Sequence, residues 1–297
     1  MTDRLLGSGL IIVDKPAGMT SHDVISRLRR IFRTRRVGHA GTLDPMATGV
    51  LVVGIERGTR FLAHLVTETK TYRATIRLGA STTTDDAEGD ITSRTDTTDV
   101  TDTLIDAAIA QLTGDIMQKP AAVSAIKIDG KRAHERVRDG ETVDIPARPV
   151  TVHRFDVLDR RSVDGYIDLD VDVFCSSGTY IRSLARDLGN ALGVGGHLTA
   201  LRRTTVGPFD LTHARTLEEL EDNPQLSLTL DQALAASFPI LRVSGEEGHK
   251  LAMGQWLEPR GLKEIHAAVT PDGQAVALVK EKGKRLATVF VARPSTL

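Results

Sequence analysis

The sequence predicts a mixed α+β fold: a largely antiparallel sheet flanked by helices, followed by a small β-rich C-terminal domain. Three observations point there. Strand and helix patterns interleave without the strand–helix–strand rhythm of a parallel sheet, and no glycine-rich nucleotide loop follows a strand. Residues 71–78 and 166–175 alternate apolar and polar, as strands with one covered face do. Beyond Pro239 helical connectors give way to short strands. With 297 residues the chain exceeds a typical single domain, and it divides into a main domain of residues 1–238 and a small one of 239–297.

Taken in order, residues 10–14 are a short apolar run, read as a strand stopped by Lys15-Pro16-Ala17-Gly18. Ser21 is the expected N-cap of a helix running to about Arg33. Val24, Ile25, Leu28, Ile31 and Phe32 follow helical spacing on it and leave the arginines on the other side. A glycine-punctuated loop (35–48), a buried strand (50–54), a short helix (59–66) and the alternating strand 71–78 come next. Residues 80–99 are polar and acidic and read as loop, and 104–112 form an amphipathic helix. Residues 124–149 mix basic side chains with Gly130, Gly140 and Pro146 and predict a projecting insertion. The strict alternation of 166–175 puts Asp168, Asp170 and Asp172 on one strand face, read as solvated rather than as a cation site. A helix over 181–192 stops at Gly193 as its C′ residue, residues 197–206 complete the core, and 209–237 connect through one or two short helices. In the last segment a helix near 246–253 precedes strands at 275–280 and 286–291 around a turn at Gly283.

Composition excludes several classes. No stretch is long and apolar enough to span a bilayer, and the first residues show no apolar signal region, so a cytoplasmic protein is expected. Cys175 is the only cysteine, which rules out an intramolecular disulfide and a cysteine-cluster zinc site. A net charge of −1 argues against nucleic acid, whose binders carry a basic footprint. The distribution says otherwise. Arg27, Arg29, Arg30, Arg33, Arg35 and Arg36 crowd into one stretch without an acid, and a second basic stretch runs from Lys127 to Arg138. The acids gather between Asp85 and Asp106, so one molecule can carry a basic face and an acidic back.

The stretch Gly38-His39-Ala40-Gly41-Thr42-Leu43-Asp44-Pro45-Met46-Ala47-Thr48-Gly49 is the strongest site candidate. Its glycines permit left-handed turns and close backbone approach, and Pro45 holds Asp44 extended. By itself this is an acid on a rigid loop beside a basic helix, and an ordinary Asp-Pro turn reads the same way.

GHAGTLDPMATGVL, from Gly38 to Leu51, resembles the catalytic signature of the TruB family of tRNA pseudouridine synthases. Further stretches match in the family's order: VDKPAGMTS from Val13, KTYR from Lys70, PAAVSAIK from Pro120, CSSGTYIR from Cys175 and LTALRR from Leu198. Together they cover about residues 10–210. The resemblance implies a pseudouridine-synthase-like fold with a PUA-like C-terminal RNA-binding module. It implies isomerisation of the T-loop uridine at tRNA position 55, on a nucleotide flipped out of its stack. Asp44 would be the nucleophile, forming a transient covalent bond to ribose C1′ or uracil C6, an alternative the sequence leaves open. Arg182 would pair with Asp44 and keep it ionised. Tyr72 would stack on the base and assist proton movement at C5. His39 would contact the flipped nucleotide, Tyr180 would border the pocket, and Leu201 would offer backbone polar atoms to the uracil edge. Lys15 and Lys127 are counted with the substrate-binding residues, and the arginine helix with Lys131, Arg132, Arg136 and Arg138 would grip phosphates.

Because the reaction is a net isomerisation, no cofactor or metal is expected. The expected partner is the T-arm stem-loop of tRNA; no protein partner is implied, and a monomer is expected. Thr83 departs from the family, which commonly has an acid there, leaving the local hydrogen bonding open; Asp86 aligns with the segment's later acid. The alternatives are a non-catalytic tRNA-binding or tRNA-folding protein, a nucleobase glycosylase, and an enzyme using a metal on the Asp168, Asp170 and Asp172 face.

Overall fold

The structure is a computed structural model that describes residues 7–66, 68–121 and 145–295, with the backbone alone of 127–128 and 131–132. The chain begins with strand β1 (Gly9–Lys15), helix α1 (Ser21–Ile31), strands β2 (Val37–Ala40) and β3 (Thr48–Ile55), and the short helix α2 (Gly58–Phe61). Strands β4 (Lys70–Leu78), β5 (Ala80–Thr82) and β6 (Ile91–Arg94) follow, then helix α3 (Asp102–Gln111) and strand β7 (Gly114–Gln118). Two-residue strands β8 (Lys127–Ile128) and β9 (Lys131–Arg132) precede β10 (Arg148–Val163), β11 (Tyr166–Cys175), helix α4 (Ile181–Ala191) and β12 (Gly196–Val206). Next come β13 (Phe209–Asp210), α5 (Leu217–Asp222), β14 (Leu228–Thr229) and α6 (Leu230–Ser237). The C-terminal segment holds β15 (Ile240–Arg242), α7 (Gly245–Ala252), β16 (His266–Val269), β17 (Ala275–Lys282) and β18 (Arg285–Val291). This is the predicted α+β class. Among the described residues no helix is long and apolar enough to cross a membrane.

Two compact units emerge. The first comprises Met1–Pro45, Gly49–Val66 and Thr205–Leu297; the second comprises Met46–Thr48 and Thr67–Thr204. In the first, β1 pairs antiparallel with β3 from Gly9↔Ile55 to Lys15↔Gly49, and β2 also pairs with β3. Their apolar faces supply Leu10, Ile12, Val50 and Val52 to a core that also holds Phe61, Leu234, Leu278 and Phe290. The C-terminal segment thus shares this core and has a second cluster of its own, which includes Val243, Leu251, Val279 and Leu286. Its sheet, in the order β15-β16-β17-β18, is covered on both faces. Ala267, Val269 and Leu278 face the shared core, while Ala268, Val276 and Val279 pack with Leu251 of α7. The sheet starts close to the expected 238/239 boundary, but packing joins residues 239–297 to the N-terminal strands. A strand covered on both faces carries no polar alternation to reveal this in the sequence.

The second unit is built on β12-β4-β11-β10-β7. Strand β11 runs antiparallel to β4 from Ile167↔Leu78 to Cys175↔Lys70 and to β10 on its other side. Ile76, Leu78, Leu169, Val171 and Val173 are fully or almost fully buried. The opposite face corrects the reading of the three aspartates. Arg77 grips Asp168 with two bonds of 2.8 Å. Asp170 accepts from Thr75 at 2.7 Å and from Arg161 at 3.0 Å, and Arg154 holds Asp172. Each acid faces a cation or hydroxyl on a neighbouring strand, the cross-strand pairing that stabilises a sheet face; Asp168 is buried, while Asp170 keeps part of its surface in water.

Three local expectations also change. The N-cap of α1 is Thr20, not Ser21: Thr20 and Asp23 form a reciprocal capping box, and Ser21 is buried. The helix stops at Ile31, and Arg33 has a left-handed φ of 51°. Residues 80–99 are not all loop, since β5 and β6 form a hairpin. All four residues of β6 are exposed, so there was no apolar period to read.

Candidate active site

Asp44 lies half-buried on the loop between β2 and β3, in the first unit. The stretch has positive φ at Gly41 (74°) on the loop and at Gly49 (99°) near the start of β3, as its glycines predicted. The backbone around Asp44 is clamped. The Ser21 hydroxyl donates to Leu43 O at 3.0 Å and accepts from Leu43 N at 2.9 Å. On the other flank, Pro45 O accepts from Gly18 N at 2.8 Å and from the Lys15 ammonium at 3.2 Å. Lys15 also donates to Pro16 O at 2.8 Å and is 0% exposed. This revises its expected role: a fully buried ammonium has no surface to offer RNA and instead holds the loop. His39 is half-buried on β2, opposite Val53 of β3.

The second unit carries Tyr72, Tyr180, Arg182 and Leu201. Tyr72 is buried on β4 opposite Val173, and Leu201 is buried on β12. Tyr180 is the N-cap residue of α4, yet its side chain makes no capping bond. Its backbone is fixed from elsewhere. Gln118 accepts from Tyr180 N at 2.8 Å and donates to Tyr180 O at 3.1 Å. Arg182, 5% exposed, donates to Thr84 O at 3.0 Å and stands 3.6 Å from the Asp86 carboxylate. Asp86 is itself 3% exposed and accepts from Thr84 Oγ1 and Glu88 N. Thr83, the departure from the family pattern, closes the same turn: its N–H donates to Asp90 O, and its hydroxyl accepts from Asp90 N. Beside it, burial raises the Asp85 carboxyl above its ordinary value against the pull of Arg186 and Arg182.

Sequence reasoning missed Ser21 as a loop clamp, Gln118 as the Tyr180 anchor and Asp86 as the acid facing Arg182. Gln118 and Tyr180 are 62 residues apart, and no local pattern links them. Asp86 stands out in the sequence as the segment's later acid, but nothing local links it to Arg182, 96 residues on. Lys70, two residues before Tyr72, is also buried. Its Nζ donates to Glu68 O at 2.6 Å, and burial, with the charge of Arg203 adding to it, pushes its pKa down to about 8. The same burial pushes the Cys175 thiol up to about 11.

The basic surface is smaller than the sequence suggested. Arg27 is held by Glu221 at 2.7 Å and Glu218 at 3.1 Å, so it ties α1 to α5. Arg36 faces Glu56. Arg29, Arg30, Arg33 and Arg35 are exposed. Lys127, Lys131 and Arg132 lie on the hairpin β8–β9, whose backbone alone is described, and Arg136 and Arg138 lie outside the described residues. Among the described residues no group of three or more His, Cys, Asp and Glu side chains is arranged to hold a metal.

Comparison with known proteins gives a consistent result. Residues 29–181 match the model of the TruB family pseudouridylate synthase N-terminal domain. Residues 182–236 match the tRNA pseudouridylate synthase B C-terminal domain, and 238–293 the C-terminal region of tRNA pseudouridine synthase II. The chain is 72% identical to the tRNA pseudouridine synthase B of Corynebacterium efficiens, over 100% of both chains. It is 59% identical to that of Nocardia farcinica, over 97% of this chain and 94% of the relative. Among solved structures, a chain of a Cbf5-Nop10-Gar1 complex superposes with a TM-score of 0.73 at 27% identity, covering 98% of this chain and 87% of that one. A chain of an H/ACA RNP bound to a substrate RNA containing 2′-deoxyuridine gives 0.72 at 26%, covering 96% and 85%.

Proposed function

The chain belongs to the TruB family of pseudouridylate synthases, and on that premise we propose that it isomerises a tRNA uridine to pseudouridine, the uridine being that of the T-loop at position 55. The observation that carries the reading is the clamped loop. A carboxylate serves as nucleophile when its backbone cannot recoil, and Asp44 sits between two residues whose peptide groups are tied to Ser21, Gly18 and Lys15.

In this reading the nucleotide leaves its stack, which costs a few kcal/mol. Tyr72 receives the base, and stacking of this kind returns about 1–3 kcal/mol. The Asp44 carboxylate attacks ribose C1′ or uracil C6, and the C1′–N1 bond breaks. The detached uracil turns, C5 bonds to C1′, and the carboxylate leaves. C5 gives up its proton, with Tyr72 assisting, and N1 gains one, so atoms and electrons balance without an external oxidant, reductant or water. Arg182 supplies the positive charge, on a guanidinium that Thr84 and Asp86 prevent from wandering. Tyr180 borders the base, His39 contacts the flipped nucleotide, and Leu201 offers its backbone to the uracil edge. The exposed arginines after α1 and the basic stretch beginning at Lys127 hold phosphates, so affinity falls steeply with salt.

Incubation with an unmodified tRNA transcript, followed by site-resolved pseudouridine mapping, tests this. One new pseudouridine in the T-loop is expected, with no free uracil released. Modification confined to the anticodon arm would refute the substrate assignment, and released uracil would replace the isomerase with a glycosylase.

A further inference from the structure

We propose that the C-terminal segment carries a second nucleotide site, a stacking platform centred on Trp256 that takes one unpaired nucleotide of the RNA substrate. The proposal rests on the reading above that the substrate is RNA. Trp256 is the chain's only tryptophan and is 46% exposed, a large apolar ring left on the surface. The Arg285 guanidinium lies over this ring, 4.9 Å from its centroid, giving a cation–π stack. Trp256 lines a cavity of about 550 Å³ with Lys250, Gln255, Glu258, Pro259 and Arg260. That is within the range of sites that hold small molecules, about 300–1,000 Å³.

The platform is held in place by bonds unrelated to the catalytic residues. Leu257, next to Trp256, exchanges backbone bonds of 3.0 and 2.8 Å with Leu286, next to Arg285. Gln255 N donates to Lys250 O at 2.9 Å. The backbones that carry the indole and the guanidinium are therefore joined through their neighbours' main chains.

Charge decides the class of occupant. The tip of the β17–β18 hairpin exposes Lys280, Lys282, Lys284 and Arg285. The acid among them, Glu281, accepts from Arg260 N at 2.6 Å and Leu262 N at 2.9 Å, so it is engaged by the protein. Glu247 on the cavity wall is paired with Arg260, and Lys250 with Glu246. Against Glu258, the other acid of the cavity wall, stand the four exposed cations of the hairpin, which leave a net positive tip beside an aromatic face. That combination fits a phosphate backbone and an unstacked base better than an apolar protein segment.

The sole tryptophan makes the test direct. Titrating the full chain with unmodified tRNA should quench Trp256 fluorescence, and a short oligoadenylate should quench it more weakly. Trp256→Ala should weaken tRNA affinity about tenfold, with Trp256→Phe restoring most of the loss. Neither variant should change the single-turnover rate on an isolated T-arm stem-loop. Unchanged fluorescence at saturating tRNA, with turnover intact, would overturn the platform and leave the proposed activity standing. A wild-type chain that is quenched by tRNA but forms no pseudouridine would do the reverse.

Discussion

The loop that carries Asp44 and the turn that faces Arg182 hold their charged groups by opposite means. The loop is fixed through its main chain: Leu43 by a serine hydroxyl, Pro45 by an amide and a buried ammonium. The Arg182 guanidinium is fixed directly, through its own side chain, by the Thr84 main-chain carbonyl, 98 residues away in the chain, and by the Asp86 carboxylate. Backbone clamping acts on the residues either side of Asp44, which suits a loop carrying a group that must form and break a bond. Side-chain clamping spends part of the guanidinium on holding still, which suits a charge that stays where it is. The Asp44→Asn substitution breaks the comparison hardest. It should lower pseudouridine formation by about 10⁴-fold or more while leaving tRNA affinity within a few-fold. Turnover persisting in this variant would mean that the clamped loop serves binding alone, as in a tRNA-folding protein.

The second test attacks the side-chain clamp. Asp86→Asn leaves the buried Arg182 charge without its carboxylate, and breaking such a pair costs about 3 kcal/mol. Unfolding by urea should report that loss, and kcat should fall by about tenfold or more because a displaced charge is a misplaced one. Loss of stability with kcat unchanged would make Asp86 a purely structural partner. The third test is the matching change in the other region. Ser21→Ala orphans Leu43 N and Leu43 O inside the protein, at about 1–3 kcal/mol. A fall in kcat larger than that from Asp86→Asn would reverse the ranking and make the backbone clamp the more demanding of the two.

These regions also differ in how far they could be read beforehand. The loop announced itself through glycines and an Asp-Pro pair, and two of its glycines do take left-handed φ. Its clamp lies one residue from the expected cap: Thr20 caps the helix and Ser21 is free to hold Leu43, two residue types that favour the same N-cap position. The alternation of β4 and β11 was legible, because a half-buried strand writes its period into the chain. The partners of Asp168, Asp170 and Asp172 were not, since strand order and register decide which arginine stands opposite. Gln118 and Asp86 belong to the same class, being joined to their targets by the fold alone. The family's motifs named Asp44, Tyr72 and Arg182 as candidates, but physical chemistry applied to the sequence would have justified only the first, and weakly.

Two buried lysines carry the contrast to its finest scale. Lys15 donates to two carbonyls at the Asp44 loop, whereas Lys70, just before Tyr72, donates to one and lies near Arg203. Burial holds the folded pKa of Lys70 at about 8, against 10.5 when free. Below pH 8 both folded and unfolded chains carry the proton, and the folded chain bears the full penalty of a poorly solvated ammonium. Between about pH 8 and 10.5 the unfolded chain keeps a proton that the folded chain has released, so this group's contribution to stability rises with pH across that window. Lys70→Met removes the titration and keeps most of the volume. Urea midpoints measured for both chains near pH 7.5 and pH 10 should show a shallower rise in the variant, with the largest advantage of the variant at the lower pH. Parallel rises in the two chains would mean that the folded protein hydrates Lys70 better than its 7% exposure implies.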